Sequence, residues 1–375
     1  MTLAGALQWA VLGLCASMLL THGALATGVL LARRRDRRGG AASTSSGHPS
    51  VSVVVAAMNE QEALPRLLES LAAQSTAAFE LVLVDDRSSD ATAAIMERHR
   101  TAAPYPVRVV RNRRPPVDCT GKQQALDLGV AAAGGELLFF TDADCIVPPT
   151  WVERLAAYFA RDRDHALGVV FGQLAVCSAA PERGGFLERY QAFEQPLVHQ
   201  YSTGTAGLGT PTGCFGNNLA LRAPVLARIG GFRSLGYTLT EDAALIGAAS
   251  RGGWGVRVAT LPATQITTEP QPTWRAFINQ HVRWNGGAFF SSDRAAAWGY
   301  RYVTLFLILS VAAAPWALLA PWLAVLPFTS LLSIGTLATL AALLYRRRRP
   351  RALARVVPYT PVSYTHLTLP TKRIV

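Results

Sequence analysis

Two stretches near the ends of the chain contain no charged side chain, and they decide where much of its apolar surface must go. Leu3–Leu31 runs for about 29 residues and Val303–Tyr345 for about 43, against the ~20 that cross a bilayer as a helix. The first predicts one transmembrane helix within residues 1–32. The second predicts a tight helical hairpin at 301–345, because Pro315, Pro321 and Pro327 supply places where helices end or kink. About three spans are therefore expected.

The formal net charge is +12, which by itself would also suit nucleic acid. Much of the excess lies in two runs that abut the apolar stretches: Arg33, Arg34, Arg35, Arg37 and Arg38, then Arg346 to Arg349 with Arg351. That placement indicates positive-inside topology and contact with anionic lipid, and no nucleic-acid partner is expected. It predicts a multi-pass protein of the cell (inner or plasma) membrane with residues 33–302 in the cytoplasm. Cleavage of residues 1–32 as a signal peptide is the other reading, since Ala24–Ala26 resembles a cleavage site, but there is no basic start and the apolar run is too long. The five cysteines, Cys15, Cys119, Cys145, Cys177 and Cys214, show no Cys-x-x-Cys spacing. They fit a reducing compartment, argue against zinc, and are expected mostly to act as small buried apolar groups.

Between the membrane segments the pattern alternates. After a basic flank and small-residue linker at 33–50, strands are predicted at Val51–Ala57, Glu80–Val84, Val107–Val110 and Glu136–Phe140. Helices are predicted near Glu60–Ala73, Asp90–Arg100, Gly121–Ala133 and from Thr150, where Thr150 and Glu153 have the spacing of a capping box. Continuous apolar strands separated by helices predict an α/β domain with a mostly parallel sheet covered on both faces. Beyond Leu167–Val176 the rhythm breaks into a helix with Phe186, Tyr190 and Phe193, a loop from Ser202 to Gly216, and helices near Glu241–Ser250 and Thr273–Trp284.

Ligands of open parallel sheets bind beyond the carboxyl ends of the strands, and the acidic residues gather there. Asp85 and Asp86 end the second strand, and Asp142 and Asp144 follow the fourth. Four carboxylates so placed repel one another unless a cation joins them, and Mg²⁺ or Mn²⁺ carrying a diphosphate is the expected cofactor. Caps on the following turns account for single aspartates equally well. An Asp-Ala-Asp directly after an apolar strand is harder to explain that way.

VSVVVAAMNE, ELVLVDDRSSDAT and GKQQALDLGVAAAGGELLFFTDADC resemble the nucleotide-binding half of family 2 glycosyltransferases, which have the GT-A fold. Thr240-Glu241-Asp242 and the Gln-x-x-Arg-Trp of Gln280, Arg283 and Trp284 resemble that family's acceptor-side motifs, so the likeness covers about residues 51–285. It implies a GT-A domain over 51–298, with a donor-binding half at 51–176 and an acceptor half at 177–298. It implies that Asp86 holds the nucleotide's base or ribose beside the loop Ala57–Glu60, which includes Asn59, with Asp85 adjacent. Asp144, helped by Asp142, would bind the metal, and Lys122 would add positive charge at the donor. Asp242, beside Glu241, would be the general base. Arg283 would steady the departing diphosphate, with Gln280 and Trp284 at the acceptor sugar. Inversion at the sugar carbon and a UDP-linked donor come from the family's habit alone. The family often has Pro where Ala56 stands and Gly where Arg87 stands.

Simpler readings exist for the acceptor motifs. Glu241 and Asp242 suit the first turn of any helix, and Gln280, Arg283 and Trp284 share one helical face as in any interfacial helix. The histidines His99, His165, His199 and His281 show no metal-ligand pairing, so surface or partly packed roles are expected for them. The expected function is transfer of a sugar from a nucleotide-sugar donor to a membrane lipid or glycan acceptor. The alternatives are a processive polysaccharide synthase, a sugar-phosphate nucleotidyltransferase and a catalytically inactive membrane scaffold. Residues 346–375 are expected to form a basic flank and a tail whose SYTHLTLPTKRIV has the texture of translated non-native sequence.

Overall fold

Short β-branched runs set the frame. In a computed structural model, which describes residues 2–39, 49–162, 164–177, 185–291 and 293–344, the chain opens with helix α1 (Leu3–Gly39) and strand β1 (Val51–Ala57). There follow α2 (Leu64–Ala72), β2 (Glu80–Asp86), α3 (Thr92–Ala102), β3 (Val107–Asn112), α4 (Gly121–Ala132), β4 (Leu137–Phe140), β5 (Cys145–Ile146) and α5 (Trp151–Ala160). The second half contains β6 (Leu167–Phe171), β7 (Leu174–Val176), α6 (Phe186–Gly207), β8 (Leu219–Arg222), α7 (Ala223–Ile229), α8 (Glu241–Arg251), β9 (Gly255–Val258) and β10 (Ile266–Thr268). The helices α9 (Trp274–Phe289), α10 (Arg294–Ala313) and α11 (Val325–Leu344) complete it. The Arg346–Arg351 run and the foreign-looking tail lie outside the described residues.

Seven strands form one sheet in the order β3-β2-β1-β4-β8-β6-β9, and β5-β10-β7 form a small second sheet. β3, β2, β1 and β4 are mutually parallel; β8 runs antiparallel to β4 and β6; β9 runs parallel to β6. This is the expected α/β architecture, a mostly parallel sheet flanked by helices. The alternation of side chains along a strand divides the interior in two. Val53 and Val55 of β1 join Leu81, Leu83 and Phe139 against α2 and α5 on one face. Val54 joins Val82, Val84, Leu138 and Phe140 against α4 and α7 on the other. Both faces are covered, which is why these strands carry unbroken apolar runs.

Two local expectations are corrected. The predicted loop from Ser202 is helical to Gly207, because α6 packs along α1 so closely that a methyl on Gly204 or Gly207 would strike α1 backbone at Leu25 or Gly28. The Thr150–Glu153 capping box does not form: Thr150 makes no side-chain cap bond, and Glu153 accepts from Ser75 Oγ at 2.9 Å. A capping box forms instead between Thr120 and Gln123 at the start of α4. Three helices are long and apolar enough to cross a membrane, at Leu3–Arg37, Arg294–Ala313 and Pro321–Ala342. The last two are joined through two short turns of helix, Pro315–Leu318 and Pro321–Ala324.

Candidate active site

Parallel β1, β2 and β4 deliver their carboxyl ends to one edge, with Ala57 paired to Asp85 across β1 and β2. Ala57 is buried and closes β1. The two loops that follow are laced together. Asn59 Oδ1 accepts from Ser89 N at 2.8 Å, and Asn59 N donates to Ser88 Oγ at 3.0 Å. Glu60 N donates to Thr92 Oγ1 at 2.8 Å. Asn59 sits at φ 59°, a left-handed conformation that asparagine tolerates better than most residues.

Asp85 and Asp86 are both buried, with different partners. Asp85 Oδ1 accepts from Ser88 N at 3.2 Å and so stabilises its own turn, as a capping aspartate would. Asp86 receives Arg87 Nε on one oxygen and Arg87 Nη2 on the other, each at 2.9 Å, and Asn112 Nδ2 at 2.8 Å. Arg87 has φ 62°, a left-handed conformation that glycine adopts at least cost. The bidentate pair to Asp86 helps to hold arginine there against that conformational cost.

Lys122, in the first turn of α4, bridges the two halves of the domain. Its Nζ lies 3.0 Å from Asp142 Oδ1 and 3.1 Å from Glu241 Oε1. Loss of water opposes the ammonium charge, but Asp142 and Glu241, with Asp242 behind them, outweigh it and hold the pKa well above the ordinary lysine value. The carboxylates feel the opposite pressure. Burial first, then the charges of Asp144, Asp142 and Asp90, push Glu60 up to about 7. Desolvation and then Asp142 raise Asp144, although Thr268 Oγ1 donates to its Oδ2 at 3.1 Å.

Asp242 sits in the first turn of α8. Gly216 N donates to its Oδ2 at 2.7 Å and Ala243 N to its Oδ1 at 2.8 Å. Burial, then the neighbouring charge of Glu241, raise it to about 6, while Lys122 and the two N–H groups pull the other way. A carboxylate poised near neutrality suits a general base. Cys214 is buried beside this pair, and burial followed by the charges of Asp242 and Glu241 drives its thiol well above the ordinary range. It is therefore a poor nucleophile.

Helix α9, which carries Gln280, Arg283 and Trp284, is capped by Thr273, whose Oγ1 accepts from Ala276 N at 3.2 Å. Its Gly287 packs against Thr240, where a methyl would collide with the threonine side chain, so α9 runs alongside the Thr-Glu-Asp segment. Trp284 is half-buried with its ring centroid 5.2 Å from that of His281. Gln280 is half-buried and Arg283 exposed, and neither makes a hydrogen bond or ion pair among the described residues. The structure thus brings Glu60, Lys122, Asp142, Asp144, Glu241 and Asp242 together, with Asn59, Asp85 and Asp86 beside them at the carboxyl ends of β1 and β2. It leaves Gln280 and Arg283 on a neighbouring helix without hydrogen-bond or ion-pair partners among the described residues.

One histidine expectation changes, at His199, while His281 is partly packed as expected. His199 is fully buried and lowered by burial to about 3; its Nε2 accepts from Leu174 N at 3.1 Å. His281 Nε2 lies 3.1 Å from Glu194 Oε2; burial lowers the ring's pKa, but Glu194 outweighs this and raises it. Asn112, Thr268 and Gly216 escaped the sequence reading. Asn112 ends β3 as Asp86 ends β2, and that shared strand-end position was the one usable signal. Four of the cysteines are buried and Cys177 is exposed.

Among the described residues no three of His, Cys, Asp and Glu are grouped as a ready-made metal cage. The donor set nevertheless fits a hard divalent ion of the kind that uses one or two carboxylates and takes its remaining ligands from substrate phosphates and water. Asp142 and Asp144 supply such oxygens, and their mutual charge is not fully answered by Lys122, as the raised Asp144 and Glu60 record.

The family model for glycosyl transferase family 2 matches residues 52–226. The chain is 29% identical over 248 residues to a beta-monoglucosyldiacylglycerol synthase of Synechocystis, covering 64% of this chain and 48% of that protein. It is 27% identical over 246 residues to the probable glycosyltransferase YdaM of Bacillus subtilis, covering 64% and 55%. Over 118 residues it is 37% identical to an undecaprenyl-phosphate 4-deoxy-4-formamido-L-arabinose transferase of Sodalis glossinidius, covering 30% and 35%. The chain thus spans about half the length, or less, of the curated relatives it matches. Among solved structures, the mannosyltransferase PcManGT of Pyrobaculum calidifontis, in complex with GDP-Man and Mn²⁺, superposes with a TM-score of 0.52 at 17% identity, covering 95% of this chain and 96% of that one. That likeness is one of fold.

Proposed function

The chain belongs to glycosyltransferase family 2, and from that premise we propose that it moves a sugar from a nucleotide-sugar donor to a hydroxyl of a membrane lipid, with inversion at the sugar carbon. The observation that carries the reading is Asp242. It is a carboxylate fixed by two backbone N–H groups and raised to about 6, and it shares a cleft with the Asp142–Lys122–Glu241 bridge.

Asp86, Asn59 and the β1 and β2 loops hold the nucleoside. Lys122 places its ammonium toward the diphosphate, and Asp142 and Asp144 would hold Mg²⁺ or Mn²⁺. When bound, such an ion neutralises charge on the leaving diphosphate. Asp242 orients the acceptor hydroxyl and takes its proton as that oxygen bonds to the anomeric carbon and the sugar's bond to the diphosphate oxygen breaks. Arg283 and Trp284 are assigned to the diphosphate and the acceptor sugar. One base and no ionised thiol favour a single displacement. The raised base favours a hydroxyl acceptor, because a phosphate acceptor is already ionised and needs no proton removed.

Three apolar helices support membrane attachment, and the Arg33–Arg38 run supports a cytoplasmic catalytic domain. Two of the relatives, a beta-monoglucosyldiacylglycerol synthase and an undecaprenyl-phosphate 4-deoxy-4-formamido-L-arabinose transferase, support a lipid acceptor. The test is nucleotide release by detergent-solubilised protein from a panel of sugar nucleotides, with Mg²⁺, Mn²⁺ or EDTA and a membrane lipid extract. Release from one donor, abolished by EDTA and giving a lipid with a single added sugar of inverted configuration, is expected. Long polymers would indicate a processive synthase, and no turnover with any donor would indicate a scaffold.

A further inference from the structure

The end of α1 encloses a second concave site, beyond the outer edge of the large sheet. A cavity of about 330 Å³ is lined by Ala32, Arg35 and Asp36 of α1, Tyr158 and Arg161 at the end of α5, and Arg257 of β9. It lies three strands from β4 in the sheet order, about 14 Å at ordinary strand spacing, so it is not an arm of the donor cleft.

Its charge is lopsided. Asp36 is buried and its carboxylate is already satisfied by the Tyr158 hydroxyl and by Thr260 N and Oγ1, the latter two at 2.6 Å. Arg35 donates Nη1 to Gly207 O at 2.8 Å, which fixes the guanidinium at the cavity wall. Arg161 and Arg257 both act on the Tyr158 hydroxyl: burial and Asp36 raise its pKa, and these two arginines oppose the rise. Three guanidiniums therefore converge around a carboxylate that is already fully engaged. Planar forks of this kind are suited to bidentate binding of phosphate oxygens.

The depth of the cavity identifies the source of the phosphate. Cys15 Sγ meets Val325 O across a sequence separation of 310, and Ala26 packs against the cluster that holds Ile334, Leu337 and Ala338, so α1 and α11 run side by side. The same offset carried to Leu344, the last described residue of α11, falls at Arg34. The last described turn of α11 and the first arginines of α1 thus lie at one level, and Arg35 follows immediately. At 1.5 Å per residue, the cavity begins within the headgroup layer of any bilayer those helices cross.

We propose that this cavity binds the phosphate of an anionic membrane phospholipid, seating the catalytic domain on the bilayer at the foot of α1. The proposal rests on the reading of the chain as membrane-anchored. The probes are phosphatidylglycerol, phosphatidylcholine and inorganic phosphate, added to the detergent-solubilised full chain, with thermal unfolding and lipid retention in native mass spectrometry as readouts. Arg161→Gln and Arg257→Gln are compared with the wild type, and Arg100→Gln, on α3 beside β3 at the opposite edge of the sheet, is the control. Phosphatidylglycerol is expected to be retained and to raise the melting temperature, while phosphatidylcholine does neither. Each cavity variant is expected to weaken retention by about tenfold, the order of a lost charge-assisted hydrogen bond, with the control unchanged. Equal effects of the two lipids, or undiminished retention in both cavity variants, would overturn the site. Full stabilisation by inorganic phosphate, with no further gain from the lipid, would overturn the lipid assignment in favour of a soluble anion. Flotation with phosphatidylcholine liposomes separates the two readings: failure to float strikes the membrane anchor, whereas flotation without a phosphatidylglycerol effect strikes only this site.

Discussion

Lys122 Nζ stands 3.1 Å from Glu241 Oε1, so a residue from the first turn of α4 is joined to one from the first turn of α8 across the mouth of the cleft. The same ammonium lies 3.0 Å from Asp142. The Asp-Ala-Asp and Thr-Glu-Asp motifs are thereby coupled through one cation. Lys122→Met leaves these carboxylates facing each other without that charge. The expected outcome is a melting temperature lowered by the equivalent of about 1–2 kcal/mol, less than for a fully buried pair because the lysine is partly exposed. The donor KM should rise at least about tenfold, on the scale of a lost charge-assisted contact. Calorimetry and steady-state kinetics of the purified variant check both, and Lys122→Arg should recover part of each.

Glu60 gives a stability prediction whose sign depends on pH. Its folded pKa of about 7 lies above the ordinary glutamate value of 4.5, so the folded state favours the protonated form. Below the ordinary value there is no penalty; the penalty grows as pH rises towards 7 and is complete above it. Glu60→Gln should therefore raise the melting temperature at pH 8, by the equivalent of about 1–2 kcal/mol after discounting for partial exposure, and leave it nearly unchanged at pH 4. Mn²⁺ should shrink the gain at pH 8 if Asp142 and Asp144 hold the ion. A variant equally stabilised at both pH values would show that electrostatic repulsion is not the cause.

Arg87 occupies both oxygens of Asp86. If Asp86 serves the nucleoside, that arginine competes with the donor. Arg87→Gly fits the left-handed backbone at φ 62° without the roughly 1–2 kcal/mol cost carried by a residue with a Cβ, and it frees the carboxylate. A donor KM lowered several-fold with kcat little changed is expected. A raised KM would instead assign Arg87 a direct contact with the nucleotide.

The α1–α6 seam depends on the absence of side chains. Gly204→Val would drive its branched side chain into the α1 backbone at Leu25, and overpacking of this kind typically costs about 1–3 kcal/mol. Reduced thermal stability in detergent, measured beside Gly23→Ala on the exposed face of α1, where a methyl meets nothing, checks it.

The parallel half of the fold was legible because its strands are unbroken β-branched runs with acidic residues at their ends. β8 was not: Leu219–Arg222 is four residues long and enters the sheet antiparallel, a pairing decided by long-range contacts with β4 and β6. Thr150 and Glu153 had capping-box spacing, yet Glu153 found Ser75 from another element, a tertiary choice that local spacing does not contain. The acidic positions of the cleft were visible as motifs. Their partners Asn112, Gly216 and Thr268 were not, since polar residues in turns and short strands are common and only the fold brings them to Asp86, Asp242 and Asp144. Arg283 shows the reverse case, a motif residue whose assigned role no contact within the described residues supports.

The central claim is that Asp242 removes the acceptor's proton. Its most direct test compares donor binding with sugar transfer in the wild type and Asp242→Asn across pH 5 to 8. The wild-type rate should fall as pH drops through about 6, where the carboxylate becomes protonated. Asp242→Asn should bind the donor with near-unchanged affinity but transfer the sugar about 10²–10⁴-fold more slowly, with that pH dependence gone. An Asp242→Asn protein that transfers at the wild-type rate, or that keeps the acid limb near pH 6, would contradict the account.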